Sequence, residues 1–387
     1  MKRALLVALP VVLVLAVGFK LYGPTIFDRA ANRVLEDPPY EASERAKKLY
    51  EDLFVVDLHA DPLLWDRDLS QRLGHGAVDI PRLIEGNVAI QSFFIVSKSP
   101  WDQNIHSTRS NSDAITTLIA VQGWPRRTWD SLLERALYQS RTLHHLAAQS
   151  KGALRILKTQ ADLRAYREAR SSGRPMVAGV IGVEGAHALE GDLRNLQALY
   201  DAGARIIAPT HFFDNAVGGS AHGVDKGGLT ELGHAMVAEM ERRRMLLDLA
   251  HASASVIEDA VAISTRPAIV SHTGVRGTCD NERNLGDGQL QAVAATGGLI
   301  GIGYWDTAVC GEDADAIARA IQYAADLVGI EHVALGSDFD GAVPVPFDTT
   351  GLAQIVDALL RTEMSEDDIR LVMGENAARV LSETLPD

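Results

Sequence analysis

Histidines and carboxylates in this chain fall at the ends of short apolar runs. Val55–His59 leads through Asp57-Leu58-His59-Ala60 to Asp61, and Met176–Val183 leads to Glu184. Ala204–Thr210 leads to His211, Met245–Ala250 to His251, Ala268–Ser271 to His272, and His332–Gly336 to Ser337-Asp338-Phe339-Asp340. Each alone is a weak signal, since a strand-end histidine is usually a hydrogen-bonded polar residue and S-D-F-D-G can simply shape a turn. Together they are the imidazole and carboxylate ligands that a divalent transition metal selects. His59 and Asp61 are two apart, so an extended backbone turns both to one side. Burying several such groups without a cation would be costly. The cluster therefore predicts a metal site.

Ligand number bears on how many ions it holds. His59, Asp61, Glu184, His251 and His272 exceed the four ligands that saturate a structural zinc and the three that a catalytic zinc usually takes. The excess suits two ions joined by one carboxylate, and Glu184 is the natural bridge because a carboxylate has two oxygens. Two ions about 3.5–4 Å apart can hold a hydroxide between them and polarise a carbonyl.

The elements that must position these groups alternate. The apolar runs, with Val88–Ile95 and Gly298–Tyr304 added, are separated by helical patterns at Ser131–Gln149, Leu193–Ala202, Thr230–Arg244, Ser253–Ile263, Asp287–Ala295 and Asp313–Val328. Runs apolar on both faces read as buried parallel strands. The alternation predicts an α/β fold, a (β/α)8 TIM-type barrel, with a helical insertion around Ser99–Gln149 after the second strand and extra C-terminal helices over Leu352–Leu381. An open doubly wound sheet is the alternative, but no G-x-G-x-x-G follows the first strand. In a barrel, the strand-end groups would share the C-terminal face, where active sites lie.

The 387 residues are 47% hydrophobic and 23% charged, which excludes a disordered or fibrous chain. A net charge of −14, with no basic run longer than Arg242–Arg244, argues against nucleic-acid binding. Lys2 and Arg3 precede an apolar run from Ala4 to Phe19. Residues 1–22 thus read as a signal anchor or signal peptide, and the body as exported, on a periplasmic or extracellular face, anchored to the membrane by that segment. Residues 40–385 read as a single catalytic domain. Cys279 and Cys310, an even pair in an exported body, suggest a disulfide, with two buried thiols as the alternative.

The motifs VDLHAD at 56–61, GVEGAHAL at 182–189, PTHFFDN at 209–215, IVSHTGVR at 269–276, RNLGDGQL at 283–290 and GSDFDG at 336–341, in that order, carry a resemblance. The chain resembles the membrane dipeptidases (renal dipeptidase-like, peptidase family M19), relatives of the amidohydrolases. The first motif is H-x-D where most amidohydrolases have H-x-H, and no lysine is placed to serve as a carbamylated bridge.

The resemblance implies two zinc ions per chain. His59 and Asp61 would bind the first, His251 and His272 the second, and Glu184 both. It implies that His211 contacts the substrate and supports the oxyanion. Arg283 would hold the C-terminal carboxylate of a dipeptide, and Asp338 would contact the substrate and manage the protons of water and leaving amine. It also implies the Cys279–Cys310 bridge and hydrolysis of L-Xaa-L-Xaa and L-Xaa-D-Xaa dipeptides. After His211 the sequence reads FFDN where many members carry a Trp-containing loop, which leaves side-chain preference open. The alternatives are another metal-dependent amidohydrolase, acting on N-acyl amino acids or lactams, and a non-enzymatic binding protein. The sequence also leaves a homodimer open. His187 reads as a residue that could stand behind the ligands, Asp340 as a turn residue or one behind the ligands rather than a ligand, and His222 as having no ligand partner at motif spacing.

Overall fold

The structure, a computed structural model, describes residues 18, 20 and 22–387. The signal segment expected over residues 1–22 lies almost wholly outside the described residues. Among those described, no helix is long and apolar enough to cross a membrane.

Nine strands form the sheet: β1 (Val55–Ala60), β2 (Val88–Val96), β3 (Leu154–Ile156), β4 (Val177–Glu184), β5 (Ala204–Ile207), β6 (Leu246–Asp248), β7 (Ala268–Thr273), β8 (Leu299–Ile302) and β9 (Val333–Leu335). All pair in parallel. β1 pairs with β9 through Asp57 and Leu335, and β2 pairs with β4 from Ile90–Ala178 to Val96–Glu184. The ring is thereby closed, and the predicted barrel is the one found.

β3 is the strand that the sequence reading missed. It pairs with Val177–Gly179, on the edge of β4 that β5 takes over from Ile181 onward. Its three residues, of which only Leu154 is buried, carry too short a pattern to read as a strand. The insertion runs further than expected. After the helices Ala114–Gln122, Arg127–Asp130 and Leu132–Gln149 it continues through β3 and the helix Gln160–Ser171 before β4 begins. Ser131 caps the long helix by accepting the Glu134 backbone N–H. Buried Arg135 locks the insertion down, donating to Thr128 O at 2.6 Å, Ser97 O at 2.7 Å and the Asp113 carboxylate at 2.6 Å.

The strands are buried on both faces because each face has its own layer. Val56, Leu58, Ile90, Val180, Ile206, Leu246, Ile269, Leu299 and Ala334 fill the barrel interior, and Ala377 and Leu381 from the C-terminal helix Asn376–Thr384 join them. Asn376 Nδ2 ties that helix to Ile330 O at 2.8 Å and Val333 O at 2.9 Å, beneath β9. The opposite faces pack against the surrounding helices in a separate cluster. Apolar filling at one end leaves the other end of the same barrel for polar groups.

Candidate metal centre

On β4 alternate residues turn inward, so Val180 and Gly182 lead to Glu184 at the strand end. Gly182 makes room there: a Cβ on it would lie 2.6 Å from the Phe94 ring. Phe94 in turn stacks on the His59 imidazole, with centroids 4.0 Å apart. Asp57 fixes the end of β1. Its Oδ1 accepts Ser337 N–H at 2.8 Å, and its Oδ2 accepts Ser337 Oγ–H at 2.6 Å and Gln91 Nε2–H at 2.9 Å. That stitch holds β1, β2 and β9 together directly behind His59 and Asp338. His251 and Asp338 adopt left-handed backbone, φ 61° and 59°. Such strain in non-glycine residues clusters at functional sites, and here it marks two members of the cluster.

The side chains converge on Glu184. Its Oε1 lies 3.2 Å from His251 Nε2, 3.5 Å from His272 Nε2 and 3.6 Å from His59 Nε2. Its Oε2 lies 3.3 Å from His211 Nε2. Asp61 Oδ2 is 3.4 Å and Asp338 Oδ1 3.9 Å from His59 Nε2. Three groups have ligand atoms spaced to share an ion: His59, Glu184 and His272; Glu184, His211 and His251; and His59, Asp61 and Asp338. Arg283 closes the set, with Nη2 donating to His272 O at 3.0 Å and standing 3.4 Å from His251 Nε2. It is buried, lies over the Trp305 ring, and among the described residues has no carboxylate within ion-pair distance. The structure thus brings His59, Asp61, Glu184, His211, His251, His272, Arg283 and Asp338 together in one cluster. A cavity of about 290 Å³ opens beside it, with Lys226, Arg276, Glu282 and Arg283 in its wall.

The electrostatics fit a cation. Burial pushes Asp61 and Glu184 far above the usual carboxylate range, helped by Asp340 for Asp61 and by Asp61 and Asp338 for Glu184. Burial also raises Asp338 to about 8, with His59 opposing. Burial lowers His59, His211, His251 and His272, so their rings are neutral and carry free lone pairs. Asp61 Oδ1 is buried without any hydrogen-bond partner. Carboxylates held protonated by burial and by one another, facing neutral imidazoles, are groups that a divalent ion would satisfy together.

Residues 43–385 match the family model described as membrane dipeptidase (peptidase family M19). The chain belongs to this family. Dipeptidase aclJ of Aspergillus oryzae is 28% identical to this M19 chain over 350 residues, covering 85% of the chain and 78% of the relative. The solved metallo peptidase dipeptidase AC, of family M19, superposes with TM-score 0.70 at 25% identity, over 87% of this chain and 99% of that one. A metallo peptidase from Rhodobacter sphaeroides, liganded with a phosphinate mimic of the dipeptide L-Ala-D-Ala, does so with TM-score 0.69 at 25% identity, over 86% and 99%.

Some residues lie elsewhere than the sequence suggested, or were passed over. Asp340 accepts the Ala77 and Val78 backbone N–H groups at 2.9 and 3.1 Å and pairs with Arg67 at 2.7 Å, so its side chain ties the segment after β9 to the loop after β1 rather than shaping its own turn. His187 is buried with neither ring nitrogen partnered and belongs to none of the convergent groups. His222, set aside in the sequence, is fully buried with its ring 5.2 Å from that of His251 and Nδ1 3.0 Å from Ile105 O. Asp248 also escaped notice. The signal for it was an acid inside the otherwise apolar run Leu246–Ala250. The Cys279–Cys310 disulfide is present. It anchors the loop bearing Arg283, since Cys279 O accepts Asn284 Nδ2–H at 2.7 Å and Asn281 Oδ1 accepts the Arg283 backbone N–H at 2.9 Å.

Proposed function

We propose that this metallopeptidase hydrolyses the peptide bond of dipeptides, of the L-Xaa-L-Xaa and L-Xaa-D-Xaa kinds, at a centre of two zinc ions. The observation that carries the reading is the position of Glu184, on which His59, His211, His251 and His272 converge and which belongs to two convergent ligand groups at once. His59 and Asp61 are assigned to one ion, His251 and His272 to the other, and Glu184 to both. When bound, such a pair of ions supplies an activated water at neutral pH and polarises the scissile carbonyl.

The residues do the rest. The Arg283 guanidinium, buried and unclaimed by any carboxylate, receives the C-terminal carboxylate of the substrate through charge-assisted hydrogen bonds. Only a short substrate can reach the reacting centre with its terminus so held. His211, neutral and at the edge of the cluster, donates a hydrogen bond to the oxygen on which negative charge develops. Asp338, with Oδ1 3.9 Å from His59 Nε2, is placed to act as the carboxylate, taking a proton from the attacking water and delivering it to the leaving nitrogen. Acceptance of a D-residue at the second position is supported by the Rhodobacter sphaeroides relative and its L-Ala-D-Ala mimic.

The test is metal content together with turnover of matched L,L and L,D dipeptides. About two zinc per chain, with cleavage of dipeptides that is lost in Glu184→Gln, supports the reading. Two ions without dipeptide turnover would overturn it in favour of N-acyl amino acid or lactam hydrolysis. One ion per fully active chain would overturn the bridged centre.

A further inference from the structure

One buried hydroxyl touches two of the metal-site imidazoles. Ser271 Oγ lies 3.0 Å from His59 Nδ1, 3.0 Å from His272 Nδ1 and 2.7 Å from Asp248 Oδ2. Exposure is 0% for Asp248, Ser271 and His59 and 1% for His272, so no solvent competes for these contacts. A serine hydroxyl has one hydrogen and two lone pairs. Asp248 Oδ1 already accepts the backbone N–H of Ala250 at 3.0 Å and of Ser271 at 2.8 Å. That carboxylate is oriented as an acceptor on both oxygens, and the single Ser271 hydrogen goes to Oδ2. The serine oxygen is left to accept only. Each ring that meets it must bring its hydrogen on Nδ1, which leaves Nε2 bare on both. Those Nε2 atoms are the ones that face Glu184 Oε1, at 3.6 and 3.5 Å.

We propose that Ser271, aimed by Asp248, is a positioning residue that fixes the tautomers of His59 and His272 together and presents both metal-facing lone pairs at once. The hydrogen bond made by one ring nitrogen decides which tautomer the other presents. Here a single donor–acceptor relay decides it for two rings whose centroids are 3.7 Å apart. His251 has no such device, since its Nδ1 is buried without a partner. The consequence for metal binding rests on the dinuclear reading above. His59 and His272 serve different ions there, so loss of one hydroxyl weakens both sites.

The experiment uses full-length protein, stripped with chelator and labelled with 15N-histidine. Two-bond 15N–1H correlation distinguishes Nδ1–H from Nε2–H rings, and His59→Gln and His272→Gln assign the signals. Both rings are expected as Nδ1–H, and either one found as Nε2–H overturns the proposal. In Asp248→Asn the side-chain amide faces Ser271 Oγ as a donor and turns the hydroxyl round, so one ring should change to Nε2–H. Ser271→Ala should lower zinc affinity at both sites by about 10- to 100-fold in chelator competition. A folded Ser271→Ala protein with wild-type affinity and wild-type tautomers overturns the proposal. If neither variant folds, the wild-type spectrum still decides. One bound zinc alongside two Nδ1–H rings refutes the dinuclear reading and leaves this one standing.

Discussion

Asp338 is pulled in opposite directions by its surroundings, and the outcome is measurable. Burial raises its carboxyl to about 8, against 3.8 for a free aspartate. Between those values the folded protein keeps a proton that the unfolded chain has released, so rising pH favours unfolding. The buried histidines act the other way, because burial holds them below 6.5 and the fold gains as pH rises toward that value. Above 6.5 only the carboxyls remain. Metal-stripped protein should therefore lose stability from pH 6.5 to 8, by roughly 1.4 kcal/mol per pH unit for each such carboxyl. Zinc-loaded protein should not, since ligands bind ions in their deprotonated form. Urea unfolding across this window, with chelator and with zinc, checks both. Arg283→Ala should lower kcat/KM for dipeptides by about 10- to 100-fold, in keeping with ~1.5–3 kcal/mol for a charged hydrogen bond. Dipeptide amides, which lack the carboxylate, should be cleaved equally by both proteins, and an equal loss on the amides would remove Arg283 from that role. Asp338 was legible because a charge at the end of an apolar run is conspicuous, whereas Arg283, after the polar stretch Asp280–Glu282, was legible only through the family resemblance. Asp248 and His222 were not, since their meaning lies in contacts with Ser271 and His251 that no spacing encodes.

Strand β4 shows how an element can fail through one atom. A Cβ at Gly182 would press on Phe94, which packs on His59. Gly182→Ala should cost about 1–3 kcal/mol by overpacking and should also weaken metal retention. Gly288→Ala, where a Cβ meets nothing within 4 Å, should be neutral or slightly stabilising. Thermal unfolding and bound zinc, measured side by side, separate the two. The disulfide makes a second case. It closes a loop with sequence separation 31, for which chain entropy gives roughly 3–4 kcal/mol. Replacing both cysteines by serine should lower the melting temperature and raise KM for dipeptides more than it changes kcat, because the loop it anchors carries Arg283. A KM unchanged in the folded variant would separate the bridge from substrate binding. The long apolar strands were readable from composition alone. β3 was not, because its pairing with β4 depends on an edge left vacant before β5 begins.

At the scale of the molecule, closure was readable in outline, since repeated apolar runs separated by helical patterns admit few parallel architectures. What joins the ends was not, because the partners lie far apart in the chain. The expected attachment through residues 1–22 is testable in cells: full-length protein should sediment with membranes, and protein lacking residues 1–22 should not. Asp28 accepts from Arg67 Nε at 2.7 Å, and Asn32 Oδ1 accepts the Ala342 N–H at 2.9 Å. The pairing of β1 with β9 also sets a timetable. A chain leaving the ribosome makes β1 long before β9 and must wait for Leu335 before its ring can shut. The interior gains Ala377, Leu381 and Leu385 later still. Through that interval, strands meant to be covered on both sides stand open to one another and to neighbouring chains. Refolding from denaturant should accordingly be slow, with a yield that falls as protein concentration rises.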